Sequence, residues 1–209
     1  MSDRLSVAAG PSWAIVRLME RPRITPGDRR QIGLVNYGLA KLIGLSTGTP
    51  PPRVFTTLAR NRSLFRRWLL FAGGLMPGGK LSRRDTELVI LRVAHEKDSE
   101  YEWHHHERLA ARSGLSAEQI AAVREGPGAG VLSQHQAMLL RAVDELLGPG
   151  KISDGLWEEL SATFDEAELI ELCLLIGHYE MLAKTLNTLG VEPDPEPIGR
   201  KLPRWLSKV

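Results

Sequence analysis

The 209-residue chain has a single cysteine, Cys173. One thiol excludes an internal disulfide, a Cys-x-x-Cys redox pair and a zinc site built on several thiolates. Aromatic residues make up only 6% of the chain, and no apolar run reaches the ~18 residues a membrane span requires. Charge of one sign is lacking too, since 27 Lys+Arg against 25 Asp+Glu leave a net charge of +2. So small an excess makes no field that would gather a polyanion. Strand signals are scarce: no Asn-Gly or Asp-Gly turn sits between alternating runs. What remains is ordinary globular composition, 43% hydrophobic and 25% charged, enough for one sizeable core. The N-terminal Met-Ser-Asp-Arg leads into no signal-peptide core. The expected location is cytoplasmic, with no membrane and no nucleic acid as partner.

Helix punctuation is dense, and the class it predicts is all-α. Residues 1–53 read as an N-terminal arm of short helices, broken by Pro22, Pro26 and Pro50-Pro51-Pro52. Val54–Leu75 reads as one helical stretch ended by Met76-Pro-Gly-Gly79. Ser82 stands three residues before Asp85, and Ser116 three before Gln119, the spacing at which a side chain caps a helix start. Further helices are expected from about Ser99 to Ser113, Ser133 to Leu147, Ser153 to Phe164 and Glu166 to Leu189. Gly114, Gly148 and Gly190 close three of them. Residues 193–209, with Pro193, Pro195 and Pro197, read as an irregular tail.

The densest run of reactive side chains is Ser99-Glu-Tyr-Glu-Trp-His-His-His106. On a helix Ser99, Glu102 and His106 share a stripe that continues into Leu109 and Ala110, so this stripe faces inward. His104 and His105 point elsewhere and are expected to be solvated. A carboxylate beside an imidazole fixes its tautomer and equips it for proton transfer near neutrality. A plain helix-stabilising pair has the same spacing. Adjacent helical residues diverge by ~100°, so three consecutive histidines cannot converge on one metal ion.

The run Leu81-Ser-x-Arg-x-x-Glu-Leu-Val-Ile-Leu-Arg-Val-Ala, then Tyr-Glu-Trp-x-x-His, then Leu-Ala-x-x-x-Gly-Leu-Ser-x-x-Gln-Ile resembles the carboxymuconolactone decarboxylase family. The resemblance spans about residues 54–192 and closes on His178-Tyr-Glu-Met-Leu-Ala-Lys. It implies the AhpD-like helical bundle shared with alkylhydroperoxidases, and a homo-oligomer: dimer, trimer or hexamer. The family's helix glutamate falls on Glu87, and its Tyr-Glu-Trp-x-x-His segment on Tyr101, Glu102, Trp103 and His106. In the peroxidase branch two cysteines would stand at Ser99 and Glu102, and neither is present. The thiolate is the reacting group in peroxide reduction, and serine and glutamate do not replace it.

The resemblance therefore implies cofactor-free acid/base chemistry, decarboxylation or isomerisation, on a small lactone or carboxylic acid. In that reading His106 is the proton donor, Glu102 orients it and Glu87 stands nearby on the preceding helix. Ser99, Tyr101 and Trp103 are candidate pocket residues. No cofactor and no metal is expected. Two alternatives stay open: an oligomeric binding or scaffold protein without catalysis, and a peroxiredoxin-like activity despite the missing thiols. Cys173 reads as a buried core residue, Trp157 as core, His135 and His178 as structural or surface. Arg60, Arg62, Arg66 and Arg67 read as a solvated helix face.

Overall fold

The computed structural model describes residues 22–47 and 49–195. Ser12–Met19 and the basic positions Arg200, Lys201, Arg204 and Lys208, with Trp205, lie outside the described residues. Among the described residues the protein is all helix and turn, in ten helices. They are α1 (Arg29–Ile32), α2 (Leu34–Thr47), α3 (Arg53–Leu58), α4 (Arg62–Leu75) and α5 (Arg83–Glu96), then α6 (Glu100–Arg112), α7 (Ala117–Glu125), α8 (Gln134–Leu147), α9 (Asp154–Ser161) and α10 (Glu166–Leu189).

The centre is α5. Its middle, Leu88–Leu91 with Val93 and Ala94, is apolar on every side, and all residues from Thr86 to Ala94 are buried. Such a helix needs neighbours all round, and it packs against α6, α7, α8 and α10. Two charged side chains break its apolar surface. Arg92 binds Asp144 of α8 through two nitrogens at 2.7 and 3.0 Å and donates to the Val123 carbonyl at 2.9 Å. Glu87 is the other, and it belongs to the site described below. A second, smaller cluster of Ile32, Ala59 and Phe65 joins α1 to α3 and α4.

The capping signals act as read. Ser82 accepts from the Asp85 amide at 3.1 Å, and Ser116 with Gln119 closes a reciprocal box. Gly190 ends α10 in the left-handed region at φ 67°, which a residue without Cβ adopts freely. The stretch Val54–Leu75 differs from its reading. It is two helices, because Asn61 turns the chain and caps α4 by accepting from the Leu64 amide. Trp157 also departs from expectation, being 43% exposed, since only Leu156 and Leu160 of α9 are buried. Cys173 is half-buried rather than core, and burial still pushes its thiol up. Arg60, Arg62, Arg66 and Arg67 are exposed as read. No described helix is long and apolar enough to cross a membrane.

Candidate active site

Asp98, at φ 50°, turns the chain from α5 into α6, and the two helices pack along each other. Their contact buries Glu87 of α5 completely and brings it to His106 of α6, which is 4% exposed. His106 Nδ1 lies 2.7 Å from Glu87 Oε2. A carboxylate only accepts, so Nδ1 carries the hydrogen and donates it, leaving Nε2 as the nitrogen for other work. The other Glu87 oxygen sits 2.7 Å from Arg83 Nη2, an ion pair whose angles fall outside hydrogen-bond range. Arg83 is half-exposed, so the chain Arg83–Glu87–His106 runs from the surface inward.

This arrangement corrects the expected partner of His106. Glu102, not Glu87, was the residue expected to orient the imidazole. Glu102 is 2% exposed, yet neither of its oxygens has a hydrogen-bond partner. The nitrogen it would have used is occupied from the neighbouring helix. Burial pushes the Glu102 carboxyl up to about 8, with the nearby Ser99 hydroxyl opposing the shift. Ser99 is equally buried, and its oxygen forms no hydrogen bond of normal geometry.

Tyr179 of α10 completes the cluster. Its ring stands edge-on to His106 at 5.2 Å between centroids. Burial first, and then the negative charges of Glu87 and Glu102, push its phenol far above the ordinary tyrosine value. The sequence offered only its place beside His178 in an apolar run, and sequence reasoning passed over it.

The remaining candidates are engaged in other contacts. The Tyr101 hydroxyl donates to Asp194 at 2.6 Å and accepts from the Val54 amide at 3.3 Å, so it holds the end of the described chain. Trp103 is buried under the Arg124 guanidinium, which lies 3.7 Å from its ring centre. His105 is not solvated as expected. It is half-buried, stacked on Tyr101 at 6.3 Å, with Nδ1 sealed from water. Burial, then the charges of His106 and Arg108, push it down to about 3. His104 is half-buried. His135 pairs with Asp85 at 3.0 Å. No group of three or more ligand-type side chains is set to hold a metal ion among the described residues.

His178 is buried between Trp68, at 6.0 Å, and Phe71, at 5.4 Å, and burial pushes it down to about 4. Below pH ~6.5 the unfolded chain binds a proton that folded His178 refuses, so stability rises with pH between about 4 and 6.5. His105 acts in the same direction. Urea midpoints should therefore fall as pH drops from 6.5 to 4, and His178→Phe should flatten part of that slope. An unchanged slope in the variant would show that the folded ring takes up the proton freely.

Residues 62–144 match the sequence profile of the carboxymuconolactone decarboxylase family. No curated protein matches the chain. Among solved structures, an uncharacterized peroxidase-related protein from Silicibacter sp. TM1040 superposes with a TM-score of 0.75 at 15% identity, over 88% of this chain and 98% of that one. A second uncharacterized peroxidase-related protein, described as an alkylhydroperoxidase AhpD core, from Ralstonia eutropha JMP134, gives 0.73 at 16% identity, over 85% and 95%. The debrominase Bmp8, as a cysteine-to-alanine variant in complex with 2,3,4-tribromopyrrole, gives 0.70 at 14% identity, over 83% and 92%. These neighbours share the fold. Through residues 62–144 the chain is similar to the carboxymuconolactone decarboxylase family, and its fold is the AhpD-like helical fold of these neighbours, without the Cys-x-x-Cys pair.

Proposed function

We propose that the protein is a cofactor-free enzyme that moves protons on a small lactone or carboxylic acid, by decarboxylation or isomerisation. The observation that carries this reading is the buried Glu87–His106 pair at 2.7 Å. It fixes the imidazole by one nitrogen and leaves the other to take or give a proton at carbon. When CO2 leaves an unsaturated lactone acid, the electron pair stays on carbon, delocalised into the lactone carbonyl. The imidazolium then protonates that carbon. Neither step asks for a metal or a redox partner.

Peroxide reduction is less well supported, because Ser99 and Glu102 stand where that chemistry needs thiols. The test is a screen of ring-cleavage lactones, related enolisable acids and hydroperoxides against wild type and His106→Ala. Turnover of a lactone or acid that depends on His106 supports the proposal. Hydroperoxide turnover with a dithiol that survives Cys173→Ser would sink it. A protein inert to every compound would leave the scaffold reading ahead. The reaction's place is expected to be the cytoplasm.

The same reading includes a homo-oligomer. Ile170, Leu174 and Met181 form an exposed apolar stripe along α10, with Gly177 between them, and Leu70 of α4 is 80% exposed. A second copy of the chain is the partner the family implies for such a face. Light scattering at micromolar concentration should give a multiple of 23.2 kDa. Leu174→Glu should reduce it towards the monomer. A strictly monomeric wild type would refute the oligomer.

A further inference from the structure

We propose that Glu102 is a carboxylic acid kept protonated in the folded protein. With the Ser99 hydroxyl it offers two hydrogen-bond donors to the uncharged carbonyl oxygen of a lactone, ester or ketone group in the substrate. The proposal deepens the reading of His106 as the proton-transfer group and rests on it.

The first support is an unclosed cap. Asp28 with Gln31, Ser116 with Gln119, Ser133 with Gln136 and Asp165 with Glu168 each form a reciprocal capping box. Ser99 and Glu102 stand at the same two positions of α6 and have the same side-chain types, yet no side-chain cap forms there. The Ser99 amide instead donates to the Ala94 carbonyl at 2.8 Å. Capping would have been the structural explanation for Glu102, and it is absent from this helix.

The second support is the surroundings. Both Glu102 oxygens and the Ser99 oxygen are sealed, and the Ser99 hydroxyl, the donor that acts on the carboxyl, makes no hydrogen bond of normal geometry with it. The charged and titratable groups around this corner are Arg83 and Glu87 from α5, His105, His106, Arg108 and Arg112 from α6, and Tyr179 from α10, and no cation among them acts on Glu102 directly. Arg83 is held by Glu87, and Arg124 lies over Trp103. A carboxylate left without a cation and with one poorly aligned donor is the costly state of a buried acid, and the neutral O–H form avoids it. Burial moves the group in that direction, up to about 8.

The substrate class follows from the donors. A substrate carboxylate at this point would bring a charge that no free cation meets, whereas a carbonyl oxygen brings none. When His106 removes a proton from the adjacent carbon, negative charge grows on that oxygen and both hydrogen bonds strengthen. The Glu102 proton stays on Glu102 throughout.

The test separates this proposal from the reading beneath it. Unfolding of wild type and Glu102→Gln is followed against pH. Folded Glu102 keeps a proton that the unfolded chain has lost above about 4.5, so wild-type stability should fall relative to the variant from there to about 8. The ratio of unfolding constants should rise about tenfold per pH unit over that window. The difference cancels the opposing slopes of His105 and His178. A flat ratio overturns the proposal and leaves His106-dependent turnover standing. If Glu102→Gln does not fold, carbon-13 NMR of glutamate-labelled wild type replaces it. One carboxyl protonated at neutral pH and lost in Glu102→Asp is expected, and none overturns the proposal. In a second arm the infrared carbonyl stretch of an uncharged butenolide is followed with the protein. It should soften on wild type and not on Ser99→Ala/Glu102→Leu. Equal or absent shifts overturn the substrate class.

Discussion

His106→Ala is expected to lower turnover of any substrate found for this protein by roughly 100-fold or more, with the helical fold intact. The size follows from what the ring does in the proposed step. It is the group placed to deliver a proton to carbon, and water does so poorly inside a closed protein. The fold survives, at a cost in stability from the buried Glu87 oxygen left without its donor, because Leu88, Ile90, Leu91, Leu172, Leu175 and Ile176 still hold the core. Far-UV circular dichroism and turnover are measured on the same preparation. Unchanged turnover would remove His106 from the mechanism. A large loss with lost ellipticity would indicate a structural role instead.

The largest stability effect is expected at Glu87→Ala. Glu87 is completely buried on the central helix and joins α5 to α6 through His106. Its removal leaves the buried His106 Nδ1 without an acceptor and opens a hole, which together cost roughly 3–5 kcal/mol. Arg83 adds little, because its guanidinium is half-exposed and recovers water. Arg83→Ala should accordingly change stability by no more than about 1 kcal/mol. Equilibrium urea unfolding of the two variants makes the comparison. A Glu87→Ala cost as small as that of Arg83→Ala would show that the buried pair does not hold the two helices together.

The site was half legible in the sequence. The apolar stripe of α6 turned His106 inward, and the family resemblance placed Glu87 beside it on the preceding helix. Which carboxylate takes the imidazole nitrogen was not legible. Helical spacing compares residues of one helix only, and it favoured Glu102, four residues away. The winning partner, 19 residues away, depends on how α5 and α6 settle against each other. Tyr179 was missed for the same reason, since its proximity is made by a third helix. The fold itself was more readable. Helix starts at Ser82, Ser116, Ser133 and Asp165 came from local chemistry that needs no tertiary information. The break at Asn61 was not seen because neither Gly nor Pro marks it, and apolar spacing resumes in register after it. Trp157 misled because spacing from Leu160 says which residues share a face, not how far a large ring reaches over the edge.

Asp194 accepts from the Arg53 amide at 2.8 Å and from the Tyr101 hydroxyl at 2.6 Å, while Arg53 grips Glu192 at 2.8 Å. The Arg53–Asp194 bond spans 141 residues. A chain emerging from the ribosome can build α5 and α6 from neighbouring segments, but Tyr101 has no acceptor at Asp194 until residue 194 has been synthesised. Closing so long a loop costs more entropy than closing a short one, though the increase is only logarithmic in length. The first turn of the helix that carries Glu102 is therefore fastened by two segments 140 residues apart in sequence, at Val54 and Asp194, and its last tie waits on the later of them.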